Sequence, residues 1–385
     1  MIYKISKAFL NTFLIKLFVI ICVLFPGDIF NIKKITFALI IVFNLKLILQ
    51  TISSKQLISF YGFWFPLILI ITSALIMSDI ITPFFRIFSC FLLLLVPIIK
   101  KYNIEYDKIL EKSLWILAGI TLFIFLLDFF HIFDVNSVTN PIRQFIYNYD
   151  IGYIGKSSAY PLYYKIFIKT SPLICILLFV NLKNNNLFKA LICLLVLLLS
   201  GTRANLSISF GLFLIYYFST KTNKVFITIK YFIFIVMLFF ILINIKSLIN
   251  LLFQIIISRG AESDLVRLGH IRGLIEVFQN NPIFLLIGTG IGSSFYSYGV
   301  LQYVSSIEIP YLDLFRQMGF ILFTIYMMFI MYPLKKIYRQ KHYLFMYVCY
   351  LLIAATNPLL FNSTFYLIYI YIFIYGCLFK KRLLK

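Results

Sequence analysis

Charged residues are scarce in this chain of 385 residues. Asp, Glu, Lys and Arg together make up 12% of it, whereas 62% is hydrophobic and the mean hydropathy is +0.99. Soluble domains are only about 45–50% apolar, and the apolar excess here extends along the whole chain. The composition excludes a soluble domain with a single anchor and predicts a polytopic membrane protein.

Acidic residues are the scarcer charged type. The chain has 13 Asp and Glu against 35 Lys and Arg, which gives a net charge of +22. Such an excess can indicate nucleic-acid binding. Here, however, the lysines cluster in short connections between apolar runs, which is typical of cytoplasmic loops. We therefore expect membrane lipid, and no nucleic acid, as a partner.

Motifs for metal and redox chemistry are missing. The six cysteines all fall within apolar runs and show no Cys-x-x-Cys spacing, which is typical of inert core residues. No Asp-x-Asp occurs, and the two carboxylates of Glu262 and Asp264 are weak evidence for a cation site. The sequence predicts no metal ion and no cofactor.

The apolar runs have the length of membrane-spanning helices. A helix needs about 20 apolar residues to cross the hydrocarbon core. Twelve runs approach that length, near residues 8–26, 35–50, 58–77, 80–99, 109–130, 161–181, 187–200, 204–219, 224–245, 314–334, 343–359 and 362–379. The first run ends without a small-residue cleavage site, so we expect it to be retained. The predicted fold class is all-α, a polytopic membrane protein with about twelve transmembrane helices.

Basic connections orient these helices. With twelve spans, the lysine-rich connections and the basic C-terminal tail fall on the same side as the N-terminus; the connections are residues 100–108, 183–189, 220–224 and 335–342. That side is the cytoplasm, although the basic residues in 31–34 fall opposite. The predicted divisions are N-terminal transmembrane helices at 1–130, a first long periplasmic loop at 131–160, central transmembrane helices at 161–245, a large periplasmic loop at 246–313 and C-terminal transmembrane helices at 314–385.

Arginine is distributed differently from lysine. Of nine arginines, six fall on or near the predicted outer side: Arg143, Arg203, Arg259, Arg267, Arg272 and Arg316. Topology does not explain this, since cations outside oppose the positive-inside rule. The planar guanidinium suits phosphate and carboxylate groups. The outer face is therefore predicted to bind an anion, unless these arginines pair with the acidic residues of the same loops.

Two segments hold the arginines of most interest. The sequence SGTR, residues 200–203, predicts a tight outer turn that places Arg203 at the membrane surface, either in a site or snorkelling from a loop. Apolar spacing predicts a helix from Ser263 to Gln279, capped by Ser263 or Asp264, with Arg267 and His270 on one face. Asp264 lies three residues before Arg267 and Glu276 four after Arg272, so ion pairs within the helix are an alternative. Asn-Pro then ends the helix, and GTGIG, residues 288–292, predicts a flexible turn.

Together these motifs resemble a known family. SGTRA, the following loop with its Arg, His, Asn-Pro and GxGxG residues, and EIPYLDLFRQMGF (308–320) are similar to bacterial O-antigen polymerases, in a superfamily that also holds O-antigen ligases. The resemblance covers roughly residues 195–335. It implies a multi-pass glycosyltransferase of the inner membrane with a GT-C-like helical fold. The implied partners are undecaprenyl-diphosphate-linked oligosaccharides as donor and acceptor, together with a chain-length regulator protein as a further candidate.

The resemblance also implies roles for individual residues. Arg203, Arg267 and Arg272 match positions that hold the diphosphate, and Arg259 and Arg316 are further candidates. Ligases carry His-Asn just before the "YL…G" segment, where this chain has Glu308-Ile309. This difference favours a polymerase and makes Glu308 the first candidate general base, followed by His270 and then Glu276. The alternatives are that Glu308 is a plain loop acid or a partner of Arg316, and that His270 is only packed.

Two other functions are compatible with the sequence. One is an O-antigen ligase of the same superfamily. The other is a transporter or lipid-linked oligosaccharide flippase, for which we expect charged residues along a path through many helices. Charges inside the predicted spans are few, and several lie near span ends where they can snorkel. The concentration of arginine in one outer loop favours a reaction site.

Overall fold

The computed structural model describes residues 6–27, 31–54, 56–156, 164–219 and 265–378, apart from the side chain of Arg203. These residues are mostly helical, with two short β-hairpins. Five helices are long and apolar enough to cross a membrane: Lys7–Leu24, Leu57–Met77, Ile81–Lys101, Tyr106–Phe129 and Pro310–Ile337. The prediction of a helical protein with several membrane-spanning candidates is confirmed.

A sixth candidate span is bent. Helices Ile32–Phe43 and Leu45–Ile52 meet at 83° and pass the same test only as a pair. The break lies at Asn44, whose buried side chain donates a hydrogen bond to the Asn11 side chain on the first helix at 2.6 Å. A buried amide needs such a partner, so this contact fixes the bend against the first helix.

The remaining apolar helices are shorter than a full span. They are Ser171–Lys183, Leu187–Leu199, Ala204–Ser219, Lys341–Ala354 and Ser363–Cys377. All five lie where the sequence predicted spans. Within the described residues, however, only five helices are long enough by themselves, or six spans if the bent pair counts as one, rather than about twelve. The predicted span at 224–245 lies outside the described residues.

The predicted span at 161–181 is wrong at its beginning. Residues Tyr164–Ile168 form a β-strand that pairs antiparallel with Gly152–Lys156, and the helix begins only at Ser171. The strand alternates between buried and half-buried side chains, because successive residues of a strand point to opposite faces. An apolar run that includes β-branched and aromatic residues therefore forms a strand here.

A buried carboxylate connects this first hairpin to one of the candidate spans. Asp128, near the end of Tyr106–Phe129, accepts hydrogen bonds from the Tyr164 hydroxyl at 2.6 Å and from Lys156 Nζ at 3.0 Å. The amide of Val135 donates a third bond at 2.9 Å. A carboxylate in the interior is tolerated only with such partners. The contact positions the first long loop on the end of the helix.

A second hairpin and a helix form another unit of the fold. Strands Phe295–Ser297 and Gln302–Val304 pair antiparallel, and a helix at 265–280 precedes them, followed by one turn at Phe284–Ile287. The predicted helix from Ser263 to Gln279 is thus confirmed from residue 265 onward, while its capping residues lie outside the described part. Asn281-Pro282 follows its end, as predicted, because proline cannot continue a helix.

Candidate functional site

The GTGIG turn is fixed to two of the candidate spans, Leu57–Met77 and Ile81–Lys101. A Cβ atom on Gly290 would lie 2.9 Å from Met77, and one on Gly292 would lie 2.6 Å from Thr82. Both glycines have φ near +90°, which favours glycine. The amide of Ile291 also donates to Ser73 Oγ at 2.8 Å. The predicted turn is confirmed, and it is held in place rather than loose.

The same turn completes a broken helix. Helix Pro310–Ile337 is interrupted at Gly319, which has φ +66°. The amides of Thr289 and Gly290 donate to the carbonyls of Arg316 at 2.9 Å and Gln317 at 3.1 Å, respectively. Carbonyls at a break in a helix need partners from outside it. The loop therefore supplies the donors that the interrupted turn lacks.

Arg316 is a structural residue at this junction. Its side chain is fully buried, and its Nε and Nη2 donate to Asp313 Oδ1 at 3.1 and 2.8 Å. Its Nη1 donates to Ser293 Oγ at 2.6 Å and Thr289 Oγ1 at 3.1 Å, and the guanidinium lies over the Phe295 ring. Every donor group faces the protein. We therefore correct the expectation that Arg316 binds the diphosphate.

A small core attaches helix 265–280 to the second hairpin. Leu274, Phe295 and Ile307 are buried together, and burying each such side chain stabilises by about 1.5–3 kcal/mol. Gly269 and Gly299 bring the backbones into contact, since a Cβ on Gly269 would lie 2.1 Å from the amide nitrogen of Gly299. The helix and the hairpin are thus positioned as one unit.

His270 is buried within this unit. Its Nδ1 lies 2.6 Å from Ser297 Oγ, which also accepts a hydrogen bond from the Gly299 amide at 3.2 Å. Burial lowers the pKa of His270, although the negative charges of Glu308 and Asp313 raise it. His270 is thus a packed residue, which was the alternative to a catalytic role, and the charge of Glu308 acts on its ring.

Arg267 and Glu308 contact each other at the edge of this unit. Arg267 Nη2 lies 3.4 Å from Glu308 Oε2, and the two side chains are 38% and 62% exposed. Glu308 is therefore not the partner of Arg316, which binds Asp313 instead. The structure thus brings together three of the predicted site residues, Arg267, His270 and Glu308.

Arg272 lies on a different side of the same helix. It lies five positions after Arg267 in the chain. At 3.6 residues per turn this places the two side chains about 140° apart around the helix axis. Its guanidinium lies 4.6 Å from the centre of the Tyr298 ring, and the Tyr298 hydroxyl donates to Glu276 Oε2 at 2.7 Å. This hydrogen bond is the main cause that raises the pKa of Tyr298. Arg272 and Glu276, predicted as a pair, thus meet through Tyr298, beside an open cleft of about 440 Å³.

Two predicted arginines cannot be placed. Arg203 begins the helix Arg203–Ser219, but its side chain is outside the described part, as is the whole of Arg259. The SGTR turn itself is confirmed, with Gly201 at φ +66°. A Cβ on Gly201 would lie 2.5 Å from the carbonyl oxygen of Tyr164. The turn therefore packs on the first hairpin, close to its second strand.

Arg86 is a residue of this region that the sequence did not assign to the site. It lies near the start of the span Ile81–Lys101, its side chain is exposed, and its Nη2 donates to Ser305 Oγ at 2.9 Å. The sequence signal that could have indicated Arg86 as a site residue is an arginine within an apolar run.

No protein-family model, no curated protein and no solved structure matches the chain.

Proposed function

We propose that the protein is a polymerase of O antigen or a related surface polysaccharide. It joins repeat units that are linked to undecaprenyl diphosphate, on the periplasmic face of the bacterial inner membrane. In this proposal about twelve transmembrane helices adopt a GT-C-like arrangement with both termini in the cytoplasm. The observation that carries the proposal is the half-exposed Arg267–Glu308 pair beside the buried His270.

The reaction requires charge stabilisation and a base. A hydroxyl oxygen of the acceptor forms a bond to the anomeric carbon of the donor, and the bond from that carbon to the lipid diphosphate breaks. The bonding electrons leave with the diphosphate, and the hydroxyl proton passes to a base. A fixed cation at the developing charge stabilises the transition state by about 2.7–4 kcal/mol. Arginine and a carboxylate are therefore the two groups that this chemistry needs.

The Arg267–Glu308 pair supplies both groups. The charges of Arg267 and Glu308 oppose each other, and because both side chains are half-exposed the pair separates at a cost of about 0–1 kcal/mol. A diphosphate competes with Glu308 for Arg267. The released carboxylate then accepts the proton of the acceptor hydroxyl. Donor binding and activation of the base are coupled in this way.

His270 acts in the proposal as a positioning residue. Its Nδ1 shares a hydrogen bond with Ser297 Oγ, and its side chain is buried, whereas the Glu308 carboxylate is 62% exposed. In this proposal the exposed carboxylate takes the proton, and the buried ring orients a neighbouring oxygen. The roles of Arg203, Arg259 and Arg272 as further diphosphate ligands, and a chain-length regulator as partner, rest on the resemblance alone.

The test is a reconstituted reaction. The purified full-length protein in lipid vesicles receives undecaprenyl-diphosphate-linked repeat units, and products are separated by length on gels. We expect a ladder of polymers that still carry the lipid diphosphate. In cells, loss of the gene leaves lipopolysaccharide capped with a single repeat unit. Lipopolysaccharide without any repeat unit, together with no ladder in vesicles, excludes a polymerase and favours a ligase or a flippase.

A further inference from the structure

Arg86 carries a charge that has no counter-ion among the described residues. Its hydrogen-bond partner, Ser305, is neutral. Glu308 contacts Arg267 and Asp313 contacts Arg316, whereas Asp79, just before the same helix, accepts hydrogen bonds from Thr82 and the Ile81 amide. Charged residues within membrane-spanning segments are costly and usually serve a function. An exposed, unneutralised guanidinium at this position therefore calls for an anionic ligand.

The position of Arg86 is set by the same loop that forms the candidate site. Its Cγ atom would lie 3.6 Å from a Cβ on Gly292, next to Ser293, which accepts from Arg316. Helix Ile81–Lys101 thus brings Arg86 against the GTGIG turn. The guanidinium is then oriented by Ser305, which directly follows the strand Gln302–Val304.

Arg86 and Arg267 contact opposite ends of one short segment. Arg86 binds Ser305, and Arg267 binds Glu308, three residues further on. Three extended residues span at most about 10–11 Å. The two guanidinium groups carry two positive charges, and Glu308 contacts one of them. This charge matches a diphosphate, whose oxygens accept paired hydrogen bonds from guanidinium groups.

We propose that Arg86 binds the diphosphate of the lipid-linked substrate together with Arg267, and that Ser305 orients its guanidinium. The inference rests on the proposed function and adds a residue from a membrane-spanning helix to the site. A polyprenyl diphosphate has its charged group at the membrane surface, where a residue near the end of a span can reach it. Anionic phospholipid head groups share the phosphate chemistry, so the experiment separates the two sources.

The experiment measures binding of a radiolabelled polyprenyl diphosphate to the full-length protein in nanodiscs of neutral phosphatidylcholine. The variants are Arg86→Gln, Arg86→Lys and Ser305→Ala, with Arg339→Gln as a control that removes one exposed arginine at the predicted cytoplasmic side. We expect Arg86→Gln to weaken binding roughly ten- to a hundredfold, the loss of a charged hydrogen bond. Arg86→Lys and Ser305→Ala give smaller losses, and Arg339→Gln gives none.

The outcomes separate the inference from the proposed function. If the wild type binds and Arg86→Gln binds equally well, the inference is overturned while the function stands. If the wild type does not bind, the function itself fails. If phosphatidylglycerol nanodiscs abolish binding by competition, the site takes a phospholipid head group and the inference is again overturned. Should Arg86→Gln not fold, Ser305→Ala decides, because it keeps the charge and unchanged binding contradicts the proposal.

Discussion

The Glu308 carboxylate lies 3.4 Å from the guanidinium of Arg267, although 41 residues separate them in the chain. Helix 265–280 carries the arginine, and the segment after the second hairpin carries the acid. Their contact depends on the small core of Leu274, Phe295 and Ile307 that joins these elements. The pair is therefore a product of tertiary packing, and its two members can be tested separately.

Glu308→Gln should abolish polymer formation while leaving the protein folded. The exposed pair contributes only about 0–1 kcal/mol to stability, whereas loss of a general base lowers the rate by about 10²–10⁴-fold. The measurement is polymer length and rate in vesicles, with thermal unfolding as a control. Glu105→Gln is a matched variant, because Glu105 forms a similarly exposed pair with Lys108. Normal polymer from Glu308→Gln would remove Glu308 from the mechanism.

Asp313→Asn should destabilise the protein strongly. It leaves the buried guanidinium of Arg316 without its counter-charge, and breaking a buried pair in this way costs about 3–5 kcal/mol. Thermal unfolding in detergent and the yield of purified protein measure the effect. Arg272→Gln, at an exposed position, is the control and should change stability by less than about 1 kcal/mol. Equal effects of the two variants would contradict the structural role of Arg316.

His270 should make stability depend on pH. Burial lowers its pKa in the folded protein below the ordinary value of 6.5. Below pH 6.5 the unfolded chain takes up a proton at this histidine that the folded protein excludes. The free energy of unfolding therefore has its full value above this pH and decreases as the pH falls below it. Thermal unfolding of the wild type and His270→Gln from about pH 8 to about pH 5.5 checks this. On acidification the wild type should lose more stability than His270→Gln. Parallel curves of stability against pH for the two proteins would refute a lowered pKa of His270.

Gly292→Ala should displace the GTGIG turn. The new Cβ would lie 2.6 Å from Thr82 Cγ2, and the residue would keep a φ near +89°. Backbone strain of this kind costs about 1–3 kcal/mol. Thr82→Ser removes the clashing methyl group, so the double variant should recover part of the stability but not all of it. A double-mutant cycle in thermal unfolding measures the coupling, and strict additivity would show that the two residues do not touch.

The sequence predicted most of the helices, because long apolar runs and basic connections are local signals. It also predicted helix 265–280 and the turn after it. It missed the strand Tyr164–Ile168, because this apolar stretch continues into the helix that begins at Ser171 and so was assigned to the same span. It missed the break at Gly319 as well. Amides of the GTGIG turn bond to the carbonyls just before this break, and a partner from elsewhere in the chain leaves no local signal.

The sequence predicted individual residues of the candidate site but not the contacts that they make. Arginines on the outer side indicated an anion-binding function, but their individual roles depend on contacts between distant parts of the chain. Arg316 is neutralised by Asp313, three residues away, and enclosed by Thr289 and Ser293, while Arg86 reaches Ser305, 219 residues later. Residue spacing alone does not distinguish an enclosed guanidinium from an exposed one.

The interruption at Gly319 divides its helix into two parts with different tolerance for inserted residues. An extra residue between Arg316 and Gly319 would turn the first part by about 100° relative to the second and carry Arg316 away from the loop that encloses it. An extra residue after Gly319 would rotate only the part that follows it. The break therefore uncouples the rotational setting of the Arg316 junction from that of the helical segment after Gly319.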